Sequence, residues 1–212
     1  WRRDAPFRVL DRQGWVAARK DDFYSPLPVK EDLVRNRKRW CRPSEMPGVR
    51  IAIEPMRRFW LGLHDRFGAE YDRLPPYEAA AAAGFGVGFT KADARALYYM
   101  VRSAGPRRYL EVGSGVSTYY CDLARRENQK SGKSTEVTCV EPFPLEALYG
   151  IPNVHVIKDE VQNLPLRAFS GLEAGDFLFI DSSHAAKIDS DVTFLMMEVV
   201  PRVAVGTYVH IH

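Results

Sequence analysis

The chain has 212 residues and a mass of 24.1 kDa, enough for one medium core or a small domain with appendages. Hydrophobic residues make up 46% and charged residues 27%, which excludes collagen-like, mucin-like and mostly disordered chains. No apolar run approaches the ~20 residues of a transmembrane helix, and the net charge of +3 hides an uneven spread, with 13 Lys/Arg against 7 Asp/Glu in residues 1–50.

That basic region reads as a solvated, arginine-rich segment. Glu31, Asp32 and Glu45 interrupt it, so no nucleic-acid partner is expected. No signal peptide follows Trp1-Arg2-Arg3-Asp4, so no membrane partner is expected either, and the missing initiator Met suggests a trimmed chain or a fragment. Cys41, Cys121 and Cys139 are odd in number and widely spaced, with no CxxC. They argue against a disulfide framework or zinc knuckle and for a reducing, cytoplasmic setting.

Residues 1–48 are punctuated by Pro6, Pro26, Pro28, Pro43 and Pro47 and read as irregular, with one short basic helix over Glu31–Trp40. Met56, Phe59, Trp60, Leu63 and Phe67 recur at helical spacing and predict a helix over 54–69. The alanines at 79–83 could be helical, but the nearby Gly84, Gly86 and Gly88 favour a loop. Thr90 with Asp93 resembles a capping box and opens a helix from Lys91 to Arg102, ended by Gly105-Pro106. Strands follow at 109–112, 137–140, 154–157, 177–181 and 206–211. Helices are expected over 116–126 and 187–200, with a polar loop at 127–134. Strands alternating with helices predict an α/β fold, a Rossmann-like, doubly wound, mostly parallel sheet.

The most informative stretch is Leu110-Glu111-Val112-Gly113-Ser114-Gly115-Val116-Ser117-Thr118, a strand, a glycine turn and a helix start. Such a turn brings backbone close to a ligand and aims helix N–H groups at it. A dinucleotide fingerprint needs a third glycine where Thr118 stands. Glu111 also suits a cationic ligand better than a pyrophosphate, because like charges repel. S-adenosylmethionine, with a sulfonium and an ammonium, is the better chemical match. Glu141 directly follows the second strand, where an open α/β sheet places a carboxylate on ribose hydroxyls. Asp181-Ser182-Ser183-His184 follows the fourth strand at the ligand crevice, and His184 is a candidate general base. His210 and His212 share one side of the fifth strand.

These segments, LEVGSGVST at 110–118, VTCVEP at 137–142, DFLFIDSSHAAKIDSDV at 176–192 and GTYVHIH at 206–212, resemble class I S-adenosylmethionine-dependent methyltransferases. The similarity is greatest to a bacterial branch of small-molecule O-methyltransferases. FYSPLP at 23–28 and PGVRIAIEPM at 48–56 resemble its N-terminal extension. The resemblance implies an extension over 1–84, irregular with one or two helices, and a methyltransferase domain over 85–212. The family's sheet has seven strands and closes with an antiparallel hairpin; about five strands are expected here, so the domain would be C-terminally incomplete and a fragment.

By resemblance, Glu111 would lie near the methionine ammonium. Gly113, Ser114, Gly115, Ser117 and Thr118 would surround the cofactor, Glu141 would hold its ribose, and Asp159 or Glu160 would lie near its adenine. Asp181 would also bind the cofactor, ending the fourth strand beside the methyl donor and the substrate, and Asp181 and His184 would be the catalytic residues. Some O-methyltransferases of this fold bind a divalent metal at the ends of the fourth and fifth strands, which here means Asp181 and His212. Trp1, Phe23, Tyr24, Trp40 and the 84–89 loop are candidates to line the pocket, although such aromatics are more often core. The implied reaction is methyl transfer to a hydroxyl of a small molecule such as a sugar or secondary metabolite. A dinucleotide or nucleotide-sugar enzyme and a non-catalytic interaction module of Rossmann-like fold are the alternatives. The acceptor and the oligomeric state are not readable from the sequence.

Overall fold

The computed structural model describes residues 9–10, 12–15, 25 and 27–212. The chain divides into two compact units, Trp1–Ile51 and Ala52–His212. In the first, the basic segment forms two short helices, α1 (Lys30–Arg35) and α2 (Arg37–Trp40), instead of one. The break falls at Asn36, whose side-chain amide donates to the Asp32 carbonyl at 2.9 Å and so competes with the helical ladder.

The second unit opens with α3 (Ile53–Tyr71), followed by a short α4 (Glu78–Ala82) in the alanine run where a loop was favoured. The glycines act one residue later: Gly84 takes φ +87° and ends the turn. Helix α5 (Lys91–Ala104) starts at a true capping box, with Thr90 and Asp93 satisfying each other's backbone N–H. It ends at Gly105 in the left-handed conformation. Its buried Ala94, Leu97, Tyr98 and Val101 recur at three- and four-residue spacing, so one stripe faces the core.

Five strands then form one parallel sheet: β1 (Arg108–Val112), β2 (Glu136–Val140), β3 (Val154–Ile157), β4 (Phe177–Ile180) and β5 (Tyr208–Ile211). Their spatial order is β3-β2-β1-β4-β5. The order reverses between β1 and β4, and an open α/β sheet binds ligands outside the carboxyl ends of its strands at such a point. Register is set by the two-residue alternation. Tyr109, Val137, Cys139, Phe177 and Phe179 join a core with residues of α3, α5 and the helix after β1, α6 (Val116–Lys130). Leu110, Val112, Val140, Leu178 and Ile180 face the other way, onto Val161, Phe169, Leu172, Leu195 and Val199.

Two helix boundaries depart from the sequence reading by about a turn. Helix α6 runs to Lys130, past Arg126, because Asn128 is buried and donates to the Val101 carbonyl at 3.0 Å. The helix expected from 187 begins at Asp191, because the Ser190 hydroxyl caps it by accepting from the Thr193 N–H. It continues through a π-turn at Leu195–Val199 and a 3-10 turn at Val200–Arg202. Residues 181–190 are therefore a loop across the crevice. Among the described residues no helix is long and apolar enough to cross a membrane.

Candidate active site

The glycine turn is forced by its neighbours. Gly113 has φ +97°, and a Cβ placed there would lie 2.0 Å from the Asp181 carbonyl oxygen. Its N–H donates to the Val140 carbonyl at 3.0 Å, and the Asp181 N–H donates to the Val112 carbonyl at 2.9 Å. The ends of β1, β2 and β4 thus meet around an atom-tight junction that no side chain can enter. Gly115, at φ +134°, sits where a Cβ would come 3.0 Å from the Phe85 carbonyl, so the 84–89 loop presses on the same turn.

Glu111 is fully buried. Strand alternation puts it on the Tyr109 side, and its carboxylate accepts from the hydroxyls of Ser117 and Thr118, the latter at 3.1 Å. Thr118 in turn accepts the Gly115 N–H at 3.1 Å. Ser117 and Thr118 are buried with it, and the three tie β1 to the first turn of α6, where Ser117 also lines the smaller of the two cavities at Asp181. Burial pushes the Glu111 carboxyl up to about 8; the hydroxyls of Ser117 and Thr118 pull against that, and the charge of Asp181 adds to it.

Two cavities meet at Asp181. The larger, about 670 Å³, runs from Gly113 past Glu141, Phe143 and Glu160 to the 181–191 loop. Its size is that of a small-molecule or cofactor site. Glu141 stands at the end of β2, where its carboxylate accepts from the Ser114 hydroxyl at 3.2 Å and the Phe143 N–H at 2.8 Å. Glu160 lines this cavity, whereas the Asp159 carboxylate is occupied by the Glu160 N–H at 2.8 Å and the Asn163 amide at 2.7 Å.

The smaller cavity, about 270 Å³, has an apolar wall of Phe85, Val87, Phe89 and Leu145, with Asp181, His184 and His212 as its polar side. His184 Nε2 lies 3.3 Å and His212 Nδ1 3.2 Å from the same Asp181 oxygen. His184 adopts φ +57°, a conformation non-glycine residues take at a cost of about 1–3 kcal/mol. Each of the three side chains offers one ligand atom, all within 4.8 Å of one another, as a metal ion would need. His210, by contrast, packs on Phe179 at 4.8 Å between ring centroids, and burial pushes its imidazole below the usual histidine range. It is half-buried against the sheet and takes no part in either cavity.

Trp1, Phe23 and Tyr24 lie outside the described residues. Trp40 belongs to the first unit, where its indole N–H donates to the Leu33 carbonyl at 2.8 Å. The 84–89 loop does line the smaller cavity. One contact escaped the sequence reading: Asp93, legible only as a capping residue, stands 3.5 Å from His212 Nε2. Nothing local in the sequence signals a contact between the start of α5 and the end of β5.

Residues 110–212 match the family model described as "Methyltransferase domain". Among solved structures, an SAH-bound methyltransferase of Podospora anserina, PaMTH1, is similar with 20% identity and a TM-score of 0.35. The match covers 74% of this chain and 61% of that one, so the chain spans less than two-thirds of that protein's length. No curated protein gives a significant match.

Proposed function

We propose, on the match of residues 110–212 to a methyltransferase domain, that the protein is a class I S-adenosylmethionine-dependent methyltransferase and transfers a methyl group to a hydroxyl of a small molecule such as a sugar or secondary metabolite. The observation that carries this reading is the pairing of two cavities at Asp181. One is bounded by the glycine turn and Glu141, the other by two imidazoles and an apolar wall.

The residues fit the cofactor. The missing Cβ at Gly113 lets the Asp181 carbonyl close on the turn, so that Gly113 and Asp181 border the larger cavity together, and Glu141 offers a carboxylate to ribose hydroxyls at the end of β2. Gly113, Ser114 and Gly115 would bring backbone to the cofactor, and Glu160 would border its base. Thr118 and Glu111 hold the turn from behind, and Ser117 both bonds Glu111 and lines the smaller cavity. When bound, S-adenosylmethionine supplies a methyl group on a positively charged sulfur, a good electrophile for an in-line displacement.

The chain's own task is to present the acceptor and take its proton. The smaller cavity excludes water from the apolar side of an acceptor and holds its hydroxyl beside Asp181, and proximity of this kind supplies most of the rate. His184 Nδ1 would accept the hydroxyl proton, with Asp181 at Nε2 orienting the ring and stabilising the imidazolium, as in other carboxylate–histidine pairs. A second reading has its own observation: Asp181, His184 and His212 would together hold a divalent cation, which lowers the pKa of a bound hydroxyl. The free cysteines at 41, 121 and 139 fit a cytoplasmic setting.

The test is transfer of an isotope-labelled methyl group from S-adenosylmethionine to a panel of hydroxyl compounds, before and after chelation. His184→Ala is expected to lower turnover about 100-fold or more. Turnover unchanged in that variant refutes His184 as the base, and full sensitivity to chelation favours the cation.

A further inference from the structure

We propose that Asp93, which lies outside the matched methyltransferase segment, is a positioning residue for His212, so that the first turn of α5 completes the active centre. The inference rests on the reading of Asp181, His184 and His212 as the reacting side of the site.

His212 follows β5, which pairs with β4 alone among the described strands. Tyr208, Val209 and Ile211 are at least one-third exposed, so β5 by itself is a weak support for a side chain that must be held in place. The ring of His212 is nevertheless contacted on three sides. Nδ1 lies 3.2 Å from the Asp181 carboxylate, and Nε2 lies 3.5 Å from Asp93 Oδ2. The Phe89 ring packs against it at 4.7 Å between centroids, tilted by 47°. A carboxylate at each nitrogen and an aromatic ring beside it restrict the rotation of the imidazole.

Asp93 is itself well anchored. Its Oδ2 accepts from the Thr90 hydroxyl at 2.5 Å and the Thr90 N–H at 3.3 Å, while its own N–H donates to the Thr90 hydroxyl at 3.3 Å. The Thr90 hydroxyl is the main reason its carboxyl sits below the usual range; burial opposes this, and His212 adds to the lowering. The next residue, Ala94, is fully buried, so the carboxylate is mounted on a rigid helix start. The same oxygen therefore serves two tasks, capping α5 and facing His212. A capping box alone requires only the first. Carboxylates that orient a functional histidine through its outer nitrogen are a recurrent device, and their removal costs about 10–100-fold in activity or metal affinity.

The experiment compares wild type, Asp93→Ala and Asp93→Asn by long-range ¹H–¹⁵N correlation of the histidine rings in the full chain, with S-adenosylmethionine binding measured by calorimetry on the same samples. The proposal expects the His212 Nε2 signal to shift and broaden in Asp93→Ala, and to move in the same direction by less in Asp93→Asn, which keeps an oxygen at the cap. Both variants are expected to bind S-adenosylmethionine as wild type does. On any acceptor the wild type methylates, kcat should fall about 10–100-fold in Asp93→Ala with KM for S-adenosylmethionine unchanged. An unchanged Nε2 signal in both variants overturns the proposal. If Asp93→Ala does not fold, Asp93→Asn decides alone, and an unchanged signal there overturns it. Failure of the wild type to bind S-adenosylmethionine refutes the functional reading instead and leaves the ring spectra to judge Asp93.

Discussion

Replacing Gly113 with alanine isolates the junction on which the site depends. Two costs combine there. An L-residue at φ +97° carries a left-handed penalty of about 1–2 kcal/mol. The added Cβ would also sit 2.0 Å from the Asp181 carbonyl oxygen and 3.1 Å from its carbon. Those are backbone atoms of β4's end, held by the Asp181 N–H to Val112 bond at 2.9 Å, so no side chain can swing away. Opening the contact requires the ends of β1 and β4 to part, an overpacking cost of about 1–3 kcal/mol. The sum is about 2–5 kcal/mol. Gly132→Ala is the matched control, because Gly132 has φ +77° with nothing within 4 Å of its added Cβ and carries the conformational cost alone. Urea unfolding of both variants, read as a change in midpoint at constant slope, separates the two terms. Gly113→Ala should be the less stable by at least about 1 kcal/mol and should lose S-adenosylmethionine binding, since Asp181 must move. Equal destabilisation in the two variants would refute the claim that the turn is fixed by steric contact with Asp181.

Glu111 makes stability depend on pH. Its folded pKa of about 8 lies above the ordinary carboxylate value of 4.5, so the folded state binds the proton more tightly. Stability should therefore fall as pH rises from 4.5 towards 8, by at most about 1.4 kcal/mol per pH unit. Glu111→Gln should flatten that fall, and an unchanged slope in urea unfolding between pH 5 and 8 would contradict the assignment. Glu70 accepts two bonds from Arg102, at 2.6 and 2.8 Å, and one from the Tyr98 hydroxyl at 2.6 Å. Glu70→Ala takes the carboxylate from a largely buried guanidinium, which keeps only its bond to the Asn128 side-chain oxygen, and from the Tyr98 phenol, and should cost about 2 kcal/mol, between the exposed and fully buried limits. Glu78→Ala breaks an ion pair with Lys91 in which both side chains are 68% exposed and screened by solvent, and should leave the urea midpoint unchanged; a clear drop would contradict this.

The parts of this fold that follow from local periodicity were legible in the sequence. Apolar strands bounded by glycine and polar loops gave the five strands, and Thr90 with Asp93 gave the start of α5 within a residue. The misplaced boundaries have side-chain causes: Asn36 breaks a helix, Asn128 extends one and Ser190 delays another. At the site, the glycine turn and the convergence of Asp181 with the fifth strand could be read from motif and strand order. The direction of Glu111 could not be read from the motif, because the hydroxyls that receive it belong to α6 and the carboxylate is buried only once β1 and α6 pack. Asp93 carries no local signal for its second role. It meets His212 only because α5 and β5 approach from distant parts of the chain, a tertiary fact that propensity and spacing do not encode.

The central claim is that the crevice between the turn at Gly113 and Glu141 takes S-adenosylmethionine. Calorimetric titration of the purified chain with S-adenosylmethionine, with NAD as a parallel control, tests it on wild type and Glu141→Ala. The account predicts saturable binding of S-adenosylmethionine alone, lost or strongly weakened when the Glu141 carboxylate is removed. Binding of NAD in place of S-adenosylmethionine, or S-adenosylmethionine affinity unchanged in Glu141→Ala, would contradict it.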